Sequence, residues 1–112
     1  MTAAVASLPL HDVTAAIIVR AQEPAATLEA LRDRRCVVNE ASSGGLETLM
    51  RAAFETAAEA VAFFGSVHLS GSHRQSVEMV AGYEADVAAV DRSTLVQLSR
   101  LYPALLEKVR VL

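Results

Sequence analysis

Apolar and polar positions along this chain change rhythm repeatedly, and each change marks an element. Residues 14–20, TAAIIVR, form an unbroken apolar run with β-branched side chains, the pattern of a strand buried on both faces. AQEPAA breaks it, and Thr27 stands as an N-cap before a short helix, LEALRD, with Leu28 and Leu31 on its inner face. A second buried strand follows at 34–39, RRCVVN. From Gly44 onward apolar residues recur at Leu46, Leu49, Met50, Ala53, Phe54, Ala57 and Val61, which predicts one helix with a single core face. Glu47, Arg51, Glu55 and Glu59 fill its other side.

The second half repeats the alternation. GSVHLSG (65–71) reads as a short strand. Ser72 to Gln75 is a capping box, S-x-x-Q, that opens a helix through Ala81, with Gly82 as its C′ residue. DVAAVD (86–91) predicts a fourth strand. Asp91 then caps a helix with Leu95, Leu98 and Leu101 inward, Pro103 interrupts it, and KVRVL (108–112) closes as a last strand. Short buried strands separated by helices imply a three-layer α/β sandwich with a mostly parallel sheet. The 112 residues suit a single domain spanning 1–112.

Composition narrows the function classes. The chain is 53% hydrophobic with no Trp, so its core rests on Ala, Val, Leu and Met. Net charge is −3 and the basic residues are scattered, which argues against a nucleic-acid partner. No run reaches the roughly 20 apolar residues of a membrane helix, so no membrane insertion is expected. The first ten residues lack a basic n-region and a long apolar stretch, and so do not read as a secretory signal. The cytoplasm is therefore one expected compartment; the other is that of a longer protein of which this is a piece. A single cysteine, Cys36, sits inside a strand-like run and reads as a buried structural thiol. His11, His68 and His73 share no metal-ligand spacing, so neither a metal nor a cofactor is expected. Asp86 and Asp91 bracket the fourth strand too far apart for shared acid–base work, and capping and solvation account for them. With no nucleophile–base pair either, the chain does not read as an enzyme.

Chemistry concentrates at three corners that each follow a strand and open a helix: residues 39–45 (NEASSGG), 70–73 (SGSH) and 91–94 (DRST). A helix start offers unpaired N–H groups and about half a positive charge. Glycine lets an anion approach the backbone. The same Ser, Asp and Gly are equally the ordinary residues of helix starts, so spacing alone supports both an anion seat and plain capping. The Ser42-Ser43-Gly44-Gly45 corner has neither the P-loop nor the G-x-G-x-x-G pattern.

The stretches TLEALRDRRCVVNEASSGG and FFGSVHLSGSHRQSVEMVAGYEADVAAVDRST resemble the phosphate/phosphite/phosphonate-binding proteins of ABC importers, a branch of the type 2 periplasmic binding proteins. The family pattern runs S-L-x-x-L-x-G-x-x-x-x-V-N-x-P-x-S-x-S-G, then F-F, G-S-H and A-D-V-A-A-I-D, and the match extends over about residues 17–112. The resemblance implies the second of two α/β lobes, with 1–13 lying outside the family segment. It implies non-catalytic binding of a small oxyanion in a cleft, an ABC permease as partner, and a periplasmic setting. Carried over by position, the binding residues are Ser42, Ser43, Gly44 and Gly45 at the first corner, Ser72 and His73 in the GSH loop, and Asp91 at the cleft. Asp33 and Tyr83 stand where the family has Gly, Ala41 replaces Pro, and Gly45-Leu46 replace a second Ser-Gly, which removes one hydroxyl donor. The alternative is a degenerate lobe that serves as a structural module, pairing as a homodimer through the surface that would meet the other lobe.

Overall fold

The computed structural model describes residues 15–40 and 53–112. Strand β1 (Ala15–Arg20) is buried along its whole length, as its unbroken apolar run requires. A 3₁₀ turn (Leu28–Leu31) leads to β2 (Arg35–Val38). Then come α1 (Ala57–Phe63), β3 (Ser66–Leu69), α2 (His73–Ala81) and β4 (Val87–Asp91). Helix α3 (Arg92–Leu101), a one-turn α4 (Pro103–Leu106) and β5 (Val109–Val111) complete the chain.

The five strands form one sheet in the order β3-β2-β4-β1-β5. β2 pairs in parallel with both β3 and β4. β1 runs antiparallel to β4 and to β5, so four of the five strands point the same way. The exception has a simple cause. The 3₁₀ turn keeps the link from β1 to β2 at one end of the sheet, whereas β3 and β4 are joined by a full helix that carries the chain back.

Both faces are covered. Ile17, Val19, Cys36, Val38, Val87 and Ala89 pack under the 3₁₀ turn and α1. Ala16, Ile18, Val37, Ala88 and Val90 pack under α2 and α3. Alternate residues of β1, β2 and β4 thus serve opposite cores by the period-2 rule, whereas the edge strand β3 is exposed at His68 and Leu69. Ile18 and Val19 are fully buried, each worth about 1.5–3 kcal/mol of transfer free energy.

Three local expectations change. The single helix expected from Leu46 to Val61 is broken at 54–56, where Thr56 accepts from Glu59 N at 3.0 Å and caps α1 afresh. Phe54, Phe63 and Phe64 stack there with centroids 5.0–5.8 Å apart, which resets the helical phase: Phe63 turns inward and Val61 outward. Leu101 is 69% exposed, not inward, because Tyr102, Leu105 and Leu106 fill the space against that core after the Pro103 break. Gly82 ends α2 at φ −94, and the left-handed turn falls one residue later, on Tyr83 at φ 68. Asp33 is also left-handed, at φ 66.

Candidate functional site

Because β2, β3 and β4 are parallel neighbours around β2, their carboxyl ends share one edge of the sheet. Ala15, the first residue of the antiparallel β1, joins them opposite Asp91. Beyond β3 the chain stays zipped to β2: Ser70 N donates to Val38 O at 2.9 Å and Gly71 N to Asn39 O at 2.8 Å. The second corner therefore lies against the start of the first. Gly71 adopts φ +102, and a Cβ there would sit 2.8 Å from Gln75 Oε1, so glycine is required for the bend into α2.

The start of α2 is held by hydroxyls. Ser72 Oγ accepts from Gln75 N at 3.1 Å, the first half of the capping box; the second half differs, since Gln75 Oε1 accepts from Ser72 Oγ at 3.2 Å and Ser72 N donates to Ser70 Oγ at 3.4 Å. Ser70 Oγ donates to Ser72 O at 2.7 Å, which leaves the fully buried Ser76 as the donor in the 2.7 Å Ser70–Ser76 contact. These hydroxyls are committed to the turn. Of the first-turn N–H groups of α2, that of Gln75 is taken up by this cap.

His73, the first residue of α2, places Nε2 3.4 Å from Asp91 Oδ2, at the end of β4. The second and third corners are thereby joined through a side-chain pair. The His73 side chain is 12% exposed and that of Asp91 38%. Asp91 makes no side-chain capping bond to α3. Two buried polar atoms at this edge have no hydrogen-bond partner: His73 Nδ1 and Asn39 Oδ1. Buried polar atoms are paired in the great majority of cases, which sets these two apart.

Of the residues named from the sequence, Ser72, His73 and Asp91 come together here. Ser42, Ser43, Gly44 and Gly45 lie outside the described residues. Asn39 is not among the residues that the sequence singles out. Its position at the end of a buried strand, opening the Ser-Gly corner, was the available signal.

The opposite end of the sheet carries a different cluster. Asp86, 8% exposed, receives Arg20 Nη2 at 3.2 Å, Arg35 Nε at 3.0 Å and the Arg35 backbone N at 3.0 Å, with Arg34 Nη2 at 3.8 Å. Arg20 also donates to Val80 O and Ala85 O and lies over the Tyr83 ring at 4.1 Å. The Arg35 hydrogen bonds hold the Asp86 carboxyl well below the usual carboxylate range, against the opposing effect of burial. Solvation and capping thus do not account for Asp86, contrary to the expectation; it is an internal counter-ion that ties β1, β2 and β4. Cys36 is fully buried and desolvation pushes its thiol up to about 12, which leaves no thiolate for chemistry. Among the described residues no cluster of His, Cys, Asp and Glu could hold a metal ion, and no helix is long and apolar enough to cross a membrane.

A covered, mostly same-direction sheet with strand-end corners gathered at one edge defines one lobe of a type 2 periplasmic binding protein. The chain belongs to the phosphonate ABC transporter periplasmic substrate-binding protein family, whose model matches residues 6–112. Among solved structures, it is similar to PhnD1 from Prochlorococcus marinus in complex with methylphosphonate, with TM-score 0.67 and 15% identity, covering 88% of this chain and 39% of that one. A binding protein component of an ABC phosphonate transporter from Pseudomonas aeruginosa gives TM-score 0.67 and 20% identity over 87% of this chain and 34% of the other. The arginine-, lysine-, histidine-binding protein ArtJ from Geobacillus stearothermophilus gives 0.61 and 14%, with 88% and 38% covered. At such identities the likeness is one of fold. The chain spans well under half the length of each of these proteins. No curated protein matches by sequence.

Proposed function

We propose that this chain is the second lobe of a solute-binding protein and supplies one wall of a cleft for a small oxyanion of the phosphonate, phosphite or phosphate class. Binding is non-catalytic. It uses the first-turn N–H groups of α2 and the residues at 42–45, 72, 73 and 91, with no metal and no cofactor. By family, the partner is an ABC permease and the setting is the periplasm. The observation that supports this reading most is the convergence of Asn39, Ser72, His73 and Asp91 at one sheet edge, in a chain whose family model covers it nearly end to end.

One wall leaves half of the guest in water, whereas a closed cleft desolvates it from both sides. The lone lobe should bind methylphosphonate, phosphite or phosphate at best near 1 mM, about 4 kcal/mol of affinity. Isothermal calorimetry checks this, and micromolar binding by the monomer would contradict the half-site reading. A tight dimer with no response to any of the three anions would favour the structural lobe instead.

A further inference from the structure

The outer edge of the sheet at β5 combines three features. β5 is the last strand, and among the described residues it pairs only with β1. Lys108 O accepts from Ala21 N and Leu112 N donates to Ile17 O, so these residues turn their backbone groups toward β1. In an antiparallel pair the residues between them turn theirs the other way, so the N–H and C=O of Val109 and Val111 face out from the sheet. Beside this edge a groove of about 410 Å³ runs between β5 and the helices α3 and α4. Buried Ile18, Leu95 and Val109 line it together with Leu106, Val96 and Val111, the last two 47% and 42% exposed. The third feature is charge. Of the 13 Asp and Glu in the chain only Glu107 follows Asp91, whereas Arg92, Arg100, Lys108 and Arg110 do, so this end carries a net +3 in a chain of −3. Arg92 and Arg110 line the groove, and Arg100 stands one turn on from Val96. Arg110 donates to the carbonyls of Glu23 and Ala25, which hold the guanidinium without cancelling its charge, and the Glu23 carboxylate is itself bonded to Arg34.

We propose that this edge is a docking surface for an extended acidic segment of a partner protein, which adds to β5 as a sixth strand. The backbone of the segment completes the ladder at Val109 and Val111. Its alternate side chains are apolar and enter the groove, on the face where Val109 packs. The carboxylates between them lie on the other face, across from Lys108 and Arg110, and opposite charges paired across strands are stabilising. A second copy of this chain fits worse. Pairing β5 in register with its own copy sets Lys108 and Arg110 against the same basic residues, which is how natural edge strands avoid self-association. An acyl chain fits worse too, since it brings no N–H or C=O to the open edge.

The test titrates three capped hexapeptides into the ¹⁵N-labelled chain: one alternating Glu and Val, one alternating Lys and Val, and the Glu–Val peptide with its amides N-methylated. The Glu–Val peptide should shift the amides of Val109 and Val111 and slow their exchange with solvent, because both gain partners. The other two should bind at least about tenfold more weakly, one for its charge and one for its lost backbone donors. Val96→Asp changes an exposed position, so the fold is kept, and should weaken Glu–Val binding by about tenfold through the groove. Arg100→Glu should weaken it by about threefold at low salt, and the difference should shrink as salt is raised. Equal binding of the Glu–Val and Lys–Val peptides, or no loss on N-methylation, would overturn the proposal. So would the absence of binding by any of the three. A dimer that protects Val109 and Val111 without peptide would give the edge to a second copy instead, and shifts caused by anionic lipid vesicles but not by the Glu–Val peptide would give it to a membrane surface; either result overturns the proposal.

Discussion

The two ends of the sheet are built from similar materials and finished differently. At one end, Arg20, Arg34 and Arg35 close on Asp86 until each oxygen of that carboxylate has a cationic partner. At the other, His73 and Asp91 form one pair and leave Nδ1 and Asn39 Oδ1 without partners. The first end satisfies its charges internally and so serves stability. The second leaves those two atoms without partners in the folded chain, and it is the end to which the proposed function assigns a guest. The contrast follows from strand direction. Parallel β3 and β4 send the starts of α2 and α3 to one end and receive loops at the other.

The largest effect should come from breaking the closed end. Asp86→Ala leaves Arg20 buried without its carboxylate, and removing one partner of a buried pair costs about 3–5 kcal/mol. Denaturant unfolding measures it. The same carboxyl sets the acid response. Its folded-state value lies below that of an unfolded aspartate, near 3.9, so its stabilisation is present above that value and is lost as pH falls through the acid range from about 5 downward. Asp86→Asn should therefore be less stable at neutral pH and flatter in its acid profile. Parallel acid curves for the two proteins would show that the network does not depend on this charge.

A smaller effect is expected at the open end. Ser72→Ala removes the Gln75 N acceptor and should cost about 1 kcal/mol, with the loss confined to the start of α2 in amide exchange. Gly71→Ala places a methyl in a left-handed bend and against Gln75, costing about 1–2 kcal/mol and shifting His73 away from Asp91. If Gly71→Ala lowered stability yet left methylphosphonate binding unchanged, this corner would not belong to the site.

Much of this was legible in the chain. The buried strands, the Ser72 capping box and the gathering of strand-end corners all follow from local pattern plus the rules of an α/β sheet. What failed was phase and partnership. The helix expected through Val61 continued a regular apolar count, but Thr56 and three phenylalanines stop and restart it, an effect of aromatic packing that periodicity does not carry. Leu101 kept the leucine spacing and still faces water, because residues after Pro103 occupy its place. Asp86 read as a solvated cap because its arginines lie 51 to 66 positions away. The same holds for Asn39: an unpartnered atom is defined by its surroundings, not by its neighbours in sequence.

The smallest prediction concerns the two departures from family glycine, Asp33 and Tyr83, one on each side of the Asp86 network. Both take positive φ, at 66 and 68, the backbone region that favours the glycine which the family resemblance places there. A left-handed L-residue carries about 1–2 kcal/mol of strain, less for Asp, which bonds locally. Asp33→Gly should thus stabilise by about 0.5–1 kcal/mol, since relief exceeds the added freedom of the unfolded chain. Tyr83→Gly relieves more strain but removes the ring over Arg20, a contact worth about 0.5–2 kcal/mol, and should come out near neutral. The two substitutions are alike in backbone and differ in that one contact, so the gap between their denaturation midpoints at equal slope measures what the tyrosine contributes to the closed end. A larger gain from Tyr83→Gly than from Asp33→Gly would mean that the ring adds nothing there, and that Arg20 is held by its carbonyls and Asp86 alone.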